Sequence, residues 1–146
     1  KQRFLWNTVL KAFANAGDWK GAASWHVSMQ EANVTMNVKA FGKLIEAASK
    51  AGQVQEAEKW LHAAMAAPGI DMDTINYNMV VDACAKAGEP TRAAGWLETM
   101  STRRLEPGIE CYTALIDACA KAVDATGATS WFNRMVKARL TPNHLS

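Results

Sequence analysis

The chain has 146 residues, the usual length of one globular domain, and 49% of them are hydrophobic, enough for a core. Its 16 Lys and Arg against 14 Asp and Glu leave a formal net charge of +2, which excludes a strongly basic nucleic-acid binder but not a basic stripe on one face. The three cysteines, Cys84, Cys111 and Cys119, form no C-x-x-C pair and His26, His62 and His144 are scattered, so a disulfide framework and a structural zinc site are disfavoured and a reducing compartment fits best.

Taken in order, the chain repeats itself. The first copy, residues 3–37, carries Trp6, a turn glycine at Gly17, then Ala22 and Trp25. The second, 38–73, carries Phe41, Gly52, Ala57 and Trp60. The third, 74–108, carries Tyr77, Gly88, Ala93 and Trp96. The fourth, 109–143, carries Tyr112, Ala128 and Trp131, with Val123 where the glycine would stand. The aromatic, the alanine and the tryptophan each recur at spacings of 35, 36 and 35, a shared beat that marks a repeat array.

Within a copy the period is helical. Tyr77, Val80, Val81 and Cys84 fall at i, i+3, i+4 and i+7, one apolar stripe. Ala87-Gly88 breaks the helix; Ala93, Trp96, Leu97 and Met100 form a second stripe, and Pro107-Gly108 ends the unit. Two helices of this length cannot bury both stripes alone, so copies must stack into a solenoid. The tryptophans read as core and the alanines beside them as close-packing points. The second copy is one residue long. Inside a helix, that residue would swing everything after it by about 100°. The reading therefore gives Ala64 the slot held by Met29, Met100 and Met135 and puts the extra residue in the turn around Pro68-Gly69.

The strings Tyr77-Asn78-Met79-Val80-Val81-Asp82-Ala83, Ala85-Lys86-Ala87-Gly88, Trp96-Leu97-Glu98-Thr99-Met100 and Glu106-Pro107-Gly108 resemble a pentatricopeptide repeat, as do Tyr112-Thr113-Ala114-Leu115-Ile116-Asp117-Ala118 and Leu140-Thr141-Pro142-Asn143. The resemblance covers nearly the whole chain. It implies an all-α fold, a right-handed α-solenoid or superhelix of helix–turn–helix repeats, and binding of single-stranded RNA at one base per repeat. It implies that the residue after the first-helix aromatic and the last residue of the unit read the base together. Those pairs are Asn7 with Asn37, Gly42 with Asp73, Asn78 with Gly108, and Thr113 with Asn143. Gly42 and Gly108 depart from the pattern because neither has a side chain to read with. The implied target is pyrimidine–any–pyrimidine–A, 5′ to 3′. Asn7, Asn78, Thr113, Asn37, Asp73 and Asn143 also suit helix caps or turns, and that structural reading stands beside the functional one.

Glu46, Asp82 and Asp117 lie four residues after the recognition slot, and Lys50, Lys86 and Lys121 four further on. Two accounts fit these lysines: i,i+4 ion pairs, or a row tracking RNA phosphates. The family places an aliphatic wedge three residues before the slot; Phe4 and Ile75 suit that role, Lys39 and Glu110 do not. No catalytic motif is present: neither a phosphate-binding glycine loop nor G-x-S-x-G, nor the H-x-E and P-C-x-x-C of a deaminase tail that some family members carry. The expectation is therefore a binder, not an enzyme, with no cofactor, no metal, no small-molecule substrate and no membrane span. The resemblance implies a mitochondrion or plastid. The alternative partner is protein, with the repeats a scaffold subunit of a large organellar complex, favoured by the near-neutral charge and the two glycine slots. The start at Lys-Gln-Arg and the end just past Asn143 read as cuts through a longer protein.

Overall fold

The computed structural model describes residues 2–139 and, among them, eight α-helices and no strand. They alternate as first and second members of four pairs: α1 Gln2–Ala16 with α2 Trp19–Glu31, α3 Val38–Lys50 with α4 Val54–Ala66, α5 Thr74–Lys86 with α6 Pro90–Thr102, and α7 Ile109–Lys121 with α8 Ala125–Arg139. Each first helix packs on the first helix of the next pair, and α2, α4 and α6 each brace the first helix that follows them. The result is a two-layer solenoid.

The turns inside the pairs share one mechanism. The N–H of Gly17 donates to Ala14 O and that of Asp18 to Phe13 O; Gly52 and Gln53, Gly88 and Glu89, and Val123 and Asp124 repeat the pattern. These are Schellman closures, which need a left-handed residue at the first position after the cap. Gly17, Gly52 and Gly88 supply it at φ of 68°, 72° and 76°, and Val123 is forced to φ 57° with its side chain 91% exposed. A β-branched residue there carries strain that glycine does not.

The apolar stripes meet in one continuous core. The aromatic and tryptophan landmarks, recognised separately in the sequence, are partners within a pair: Trp6 lies 4.7 Å from Trp25, Tyr77 6.2 Å from Trp96, and Tyr112 6.5 Å from Trp131. Ala22, Ala57 and Ala93 are fully buried where helices approach closely. The extra residue of the second copy lies after the helix. α2, α4 and α6 all have 13 residues with the tryptophan seventh. The left-handed residues that end their turns are Asn33, Gly69 and Arg104, so the longer connection follows α4. Ala64 is buried in register with Met29 and Met100, and Met65 is only half-buried.

Side chains tie neighbouring second helices together. Glu58 on α4 accepts from Trp96 Nε1 on α6 at 2.8 Å and pairs with Arg92 at 3.4 Å. His26 stands edge-on to Trp60 at 4.8 Å, and His62 lies 4.9 Å from Trp96. Cys84, Cys111 and Cys119 are buried free thiols. Burial, with the Glu58 carboxylate beside it, pushes the Cys84 thiol up to about 12, so it stays protonated and inert.

Candidate nucleic-acid interface

The first helices line an open groove. At one end it is walled by Phe4, Asn7, Lys11, Lys39, Gly42, Asp73, Ile75 and Asn76. It continues past Lys50, Met79, Asp82 and Lys86. At the other end it reaches Ile109, Glu110, Thr113, Asp117 and Lys121. The solenoid thus sets residues about 35 positions apart side by side.

The two members of each reading pair have different local roles. Asn37 caps α3: its Oδ1 accepts from the N–H of Ala40 at 2.8 Å. Asp73 caps α5 in the same way, accepting from the N–H of Asn76 at 3.3 Å. Gly108 holds the cap position of α7 with no side chain to offer. Side-chain capping therefore applies to Asn37 and Asp73. It does not apply to Asn7, Asn78 or Thr113, which sit in the second turn of their helices, beyond the cap position. A side chain there points off the helix face rather than back toward the helix start. Asn143 lies outside the described residues.

The lysine row forms the ion pairs that its spacing allows. Lys50 pairs with Glu46 at 3.1 Å, Lys86 with Asp82 at 3.0 Å and Lys121 with Asp117 at 3.0 Å. Burial raises the Glu46 carboxyl, but its bonds to Lys50 and Lys43 outweigh that and hold it below the usual carboxylate range. Lys86 and Lys121 keep 77% and 78% of their side-chain surface in water, so the pairs leave ammonium donors available to a phosphate. Phe4 is 73% and Ile75 63% exposed on the groove, an unusual place for large apolar side chains without a partner. The matching positions Lys39 and Glu110 are polar and also exposed.

Comparison with known families decides what this groove belongs to. Residues 2–94 match the family described as pentatricopeptide repeat-containing protein, residues 72–121 the PPR repeat family, and residues 97–146 the pentatricopeptide repeat domain. The chain belongs to the pentatricopeptide repeat family. No curated protein sequence matches it. Among solved structures, the pentatricopeptide repeat protein PPR10 from maize is 21% identical, with a TM-score of 0.85 over 94% of this chain and 20% of the maize chain. PPR10 in complex with an 18-nt psaJ RNA element is 22% identical, with a TM-score of 0.76 over 97% and 21%. Nuclear proteinaceous RNase P 2 from A. thaliana is 12% identical, with a TM-score of 0.82 over 94% and 31%. The chain thus spans about a fifth of the maize protein and under a third of the A. thaliana one.

Set in the pentatricopeptide repeat frame, two groove residues stand out that sequence reasoning passed over. Asn76 is the one buried polar residue described, at 6% exposure. Cys111 is buried, and its Sγ–H donates to Asn78 Oδ1 at 2.7 Å. Both sit one residue before the first-helix aromatic, where the second unit has Ala40. Each stands against the residue after the aromatic of the preceding pair: Asn76 behind Gly42, Cys111 behind Asn78. With its oxygen held by the thiol, Asn78 turns its amide nitrogen toward Gly108, where a Cβ would stand 3.8 Å from Nδ2. The only sequence signal was an unexpected polar residue in a core-facing register. Among the described residues no three His, Cys, Asp or Glu side chains gather as a metal site, and no helix is long and apolar enough to cross a membrane.

Proposed function

We propose that the first-helix face binds single-stranded RNA, one base for each helix pair, in organellar RNA processing, stability or translation. The units would be 3–37, 38–73, 74–108 and 109–143. The base readers would be Asn7 with Asn37, Asp73 at the second position, Asn78 at the third, and Thr113 with Asn143 at the fourth. Lys50, Lys86 and Lys121 would meet phosphates. The observation that carries this reading is the coincidence on one groove of Asn7, Gly42, Asp73 and Thr113, the exposed Phe4 and Ile75, and the exposed lysine row. Bases sliding between such apolar side chains would cover them, and base stacking on side chains typically contributes about 1–3 kcal/mol per base. The similarity to PPR10, solved in complex with RNA, supports the same reading. Mitochondrion or plastid is the location that family membership favours. The activity is binding; any catalysis would lie outside these residues.

The test is fluorescence anisotropy with RNA oligonucleotides of the pattern pyrimidine–N–pyrimidine–A. Replacing the first pyrimidine by a purine should cost about 1–3 kcal/mol. Three phosphate contacts predict a salt slope of about −2 in log K against log salt. Asn143→Asp should move the fourth-base preference from A toward G. Equal affinity for purine and pyrimidine at the first base, with no salt dependence, would refute the proposal.

A further inference from the structure

Glycine leaves a gap at the second recognition position, and the next helix pair fills it. A Cβ placed on Gly42 would stand 3.0 Å from Asn76 Oδ1, with the Asn76 Cγ and Nδ2 farther away at 3.7 and 3.8 Å. The amide oxygen of an asparagine lies two bonds beyond its own Cβ, roughly 2.4 Å away by ordinary bond lengths. Asn76 Oδ1 therefore lies at nearly the reach that an asparagine reader at position 42 would have. Gly42, Asp73 and Asn76 share one stretch of the groove wall.

The other end of the amide fixes its orientation. Asn76 Nδ2 donates to Asp73 Oδ1 at 2.9 Å, the same oxygen that caps α5. With nitrogen committed to the carboxylate, oxygen must face Gly42. Asp73 Oδ2 takes part in neither bond and Asp73 is exposed. Asn76 Oδ1 and Asp73 Oδ2 thus stand as two acceptors at the second position, neither engaged by the bonds among these groups.

We infer that Asn76 Oδ1 and the Asp73 carboxylate together read the second base and select guanine. This rests on the RNA-binding reading and replaces the "any" expected from Gly42 alone. Guanine is the only base whose Watson–Crick edge carries two adjacent donors, N1–H and the N2 amine. Adenine and cytosine set one amine beside an acceptor, and uracil sets one N–H between two acceptors. Each would place an acceptor against an acceptor, a mismatch that a site built for hydrogen-bond readout discriminates against.

Four oligonucleotides that differ only in the second base, titrated against the full chain, test the inference without any variant. Guanine should bind about tenfold tighter than the other three, a difference of about 1.4 kcal/mol. Asn76→Ala should bring the four bases to near parity and leave the first-base pyrimidine preference intact. The α5 cap survives that change because it uses the backbone N–H; helicity by circular dichroism checks this. Equal affinity of the wild-type chain for all four second bases, with the first-base preference present, overturns this inference alone. So does a guanine preference that persists in folded Asn76→Ala. Absence of RNA binding overturns both this and the RNA reading.

Discussion

Glu58→Ala should uncouple the second and third helix pairs. Its carboxylate joins α4 to α6 by two contacts, the 2.8 Å bond from Trp96 Nε1 and the 3.4 Å pair with Arg92. Trp96 is 6% exposed, so its N–H would be left without an acceptor and out of reach of water. An orphaned buried donor costs about 1–3 kcal/mol. The Arg92 side chain is 38% exposed, and solvent screening limits that pair to roughly 0.2–1 kcal/mol. The expected loss is therefore about 2–3 kcal/mol in urea unfolding. Because solenoid stability is a sum of unit and interface terms, the loss falls on one interface. The transition should broaden, and amide exchange in α5 and α6 should speed up more than in α1. Glu56→Ala provides the control. Its carboxylate accepts from Trp60 Nε1 at 3.1 Å within a single helix, so it should lower stability without broadening the transition. A loss under about 0.5 kcal/mol for Glu58→Ala, or an equally sharp transition, would refute the interface account, since such values are ordinary for surface changes.

Three other outcomes follow from the same structure. Val123→Gly removes a strained left-handed valine that buries almost nothing, and should raise stability by about 1 kcal/mol in thermal unfolding; a loss would mean that Val123 makes contacts its exposure does not show. Gly108→Asn recreates at the third position the combination of Asn7 with Asn37, and should sharpen the third-base pyrimidine preference by about 1–3 kcal/mol in RNA titration; its Cβ would require only the far end of Glu110, 2.9 Å away, to move. Burial, helped by Lys59, holds the His26 imidazole below its ordinary value of 6.5. The folded state therefore favours neutral His26, and its contribution is complete above that value and lost as pH falls through it. The melting temperature should drop between pH 7 and 5, and His26→Gln should flatten the slope; an unchanged slope would remove His26 from the account.

The sequence by itself determined the repeat and the helices. Landmarks such as Trp25, Trp60, Trp96 and Trp131 report burial, and burial at 3.6-residue spacing needs only local chain geometry to interpret. The position of the extra residue was legible for the same reason, because a helix has no tolerance for an insertion that rotates its stripe. That Asn7, Asn78 and Thr113 lie on first helices was also legible, although the capping role that the sequence allowed them was not what the helices adopted. Asn37 and Asp73, by contrast, do cap.

Only the tertiary structure decided what stands behind Gly42 and Asn78. Asn76 reaches Gly42 from 34 residues away and Cys111 reaches Asn78 from 33, distances at which periodicity says nothing about which atoms meet. The same holds for Glu58, whose carboxylate receives the N–H of a buried Trp96 38 residues away. Local spacing fixes the face on which a side chain lies. Its hydrogen-bond partner is fixed by how one pair leans on the next, and that lean is a property of packed shapes rather than of any stretch of chain.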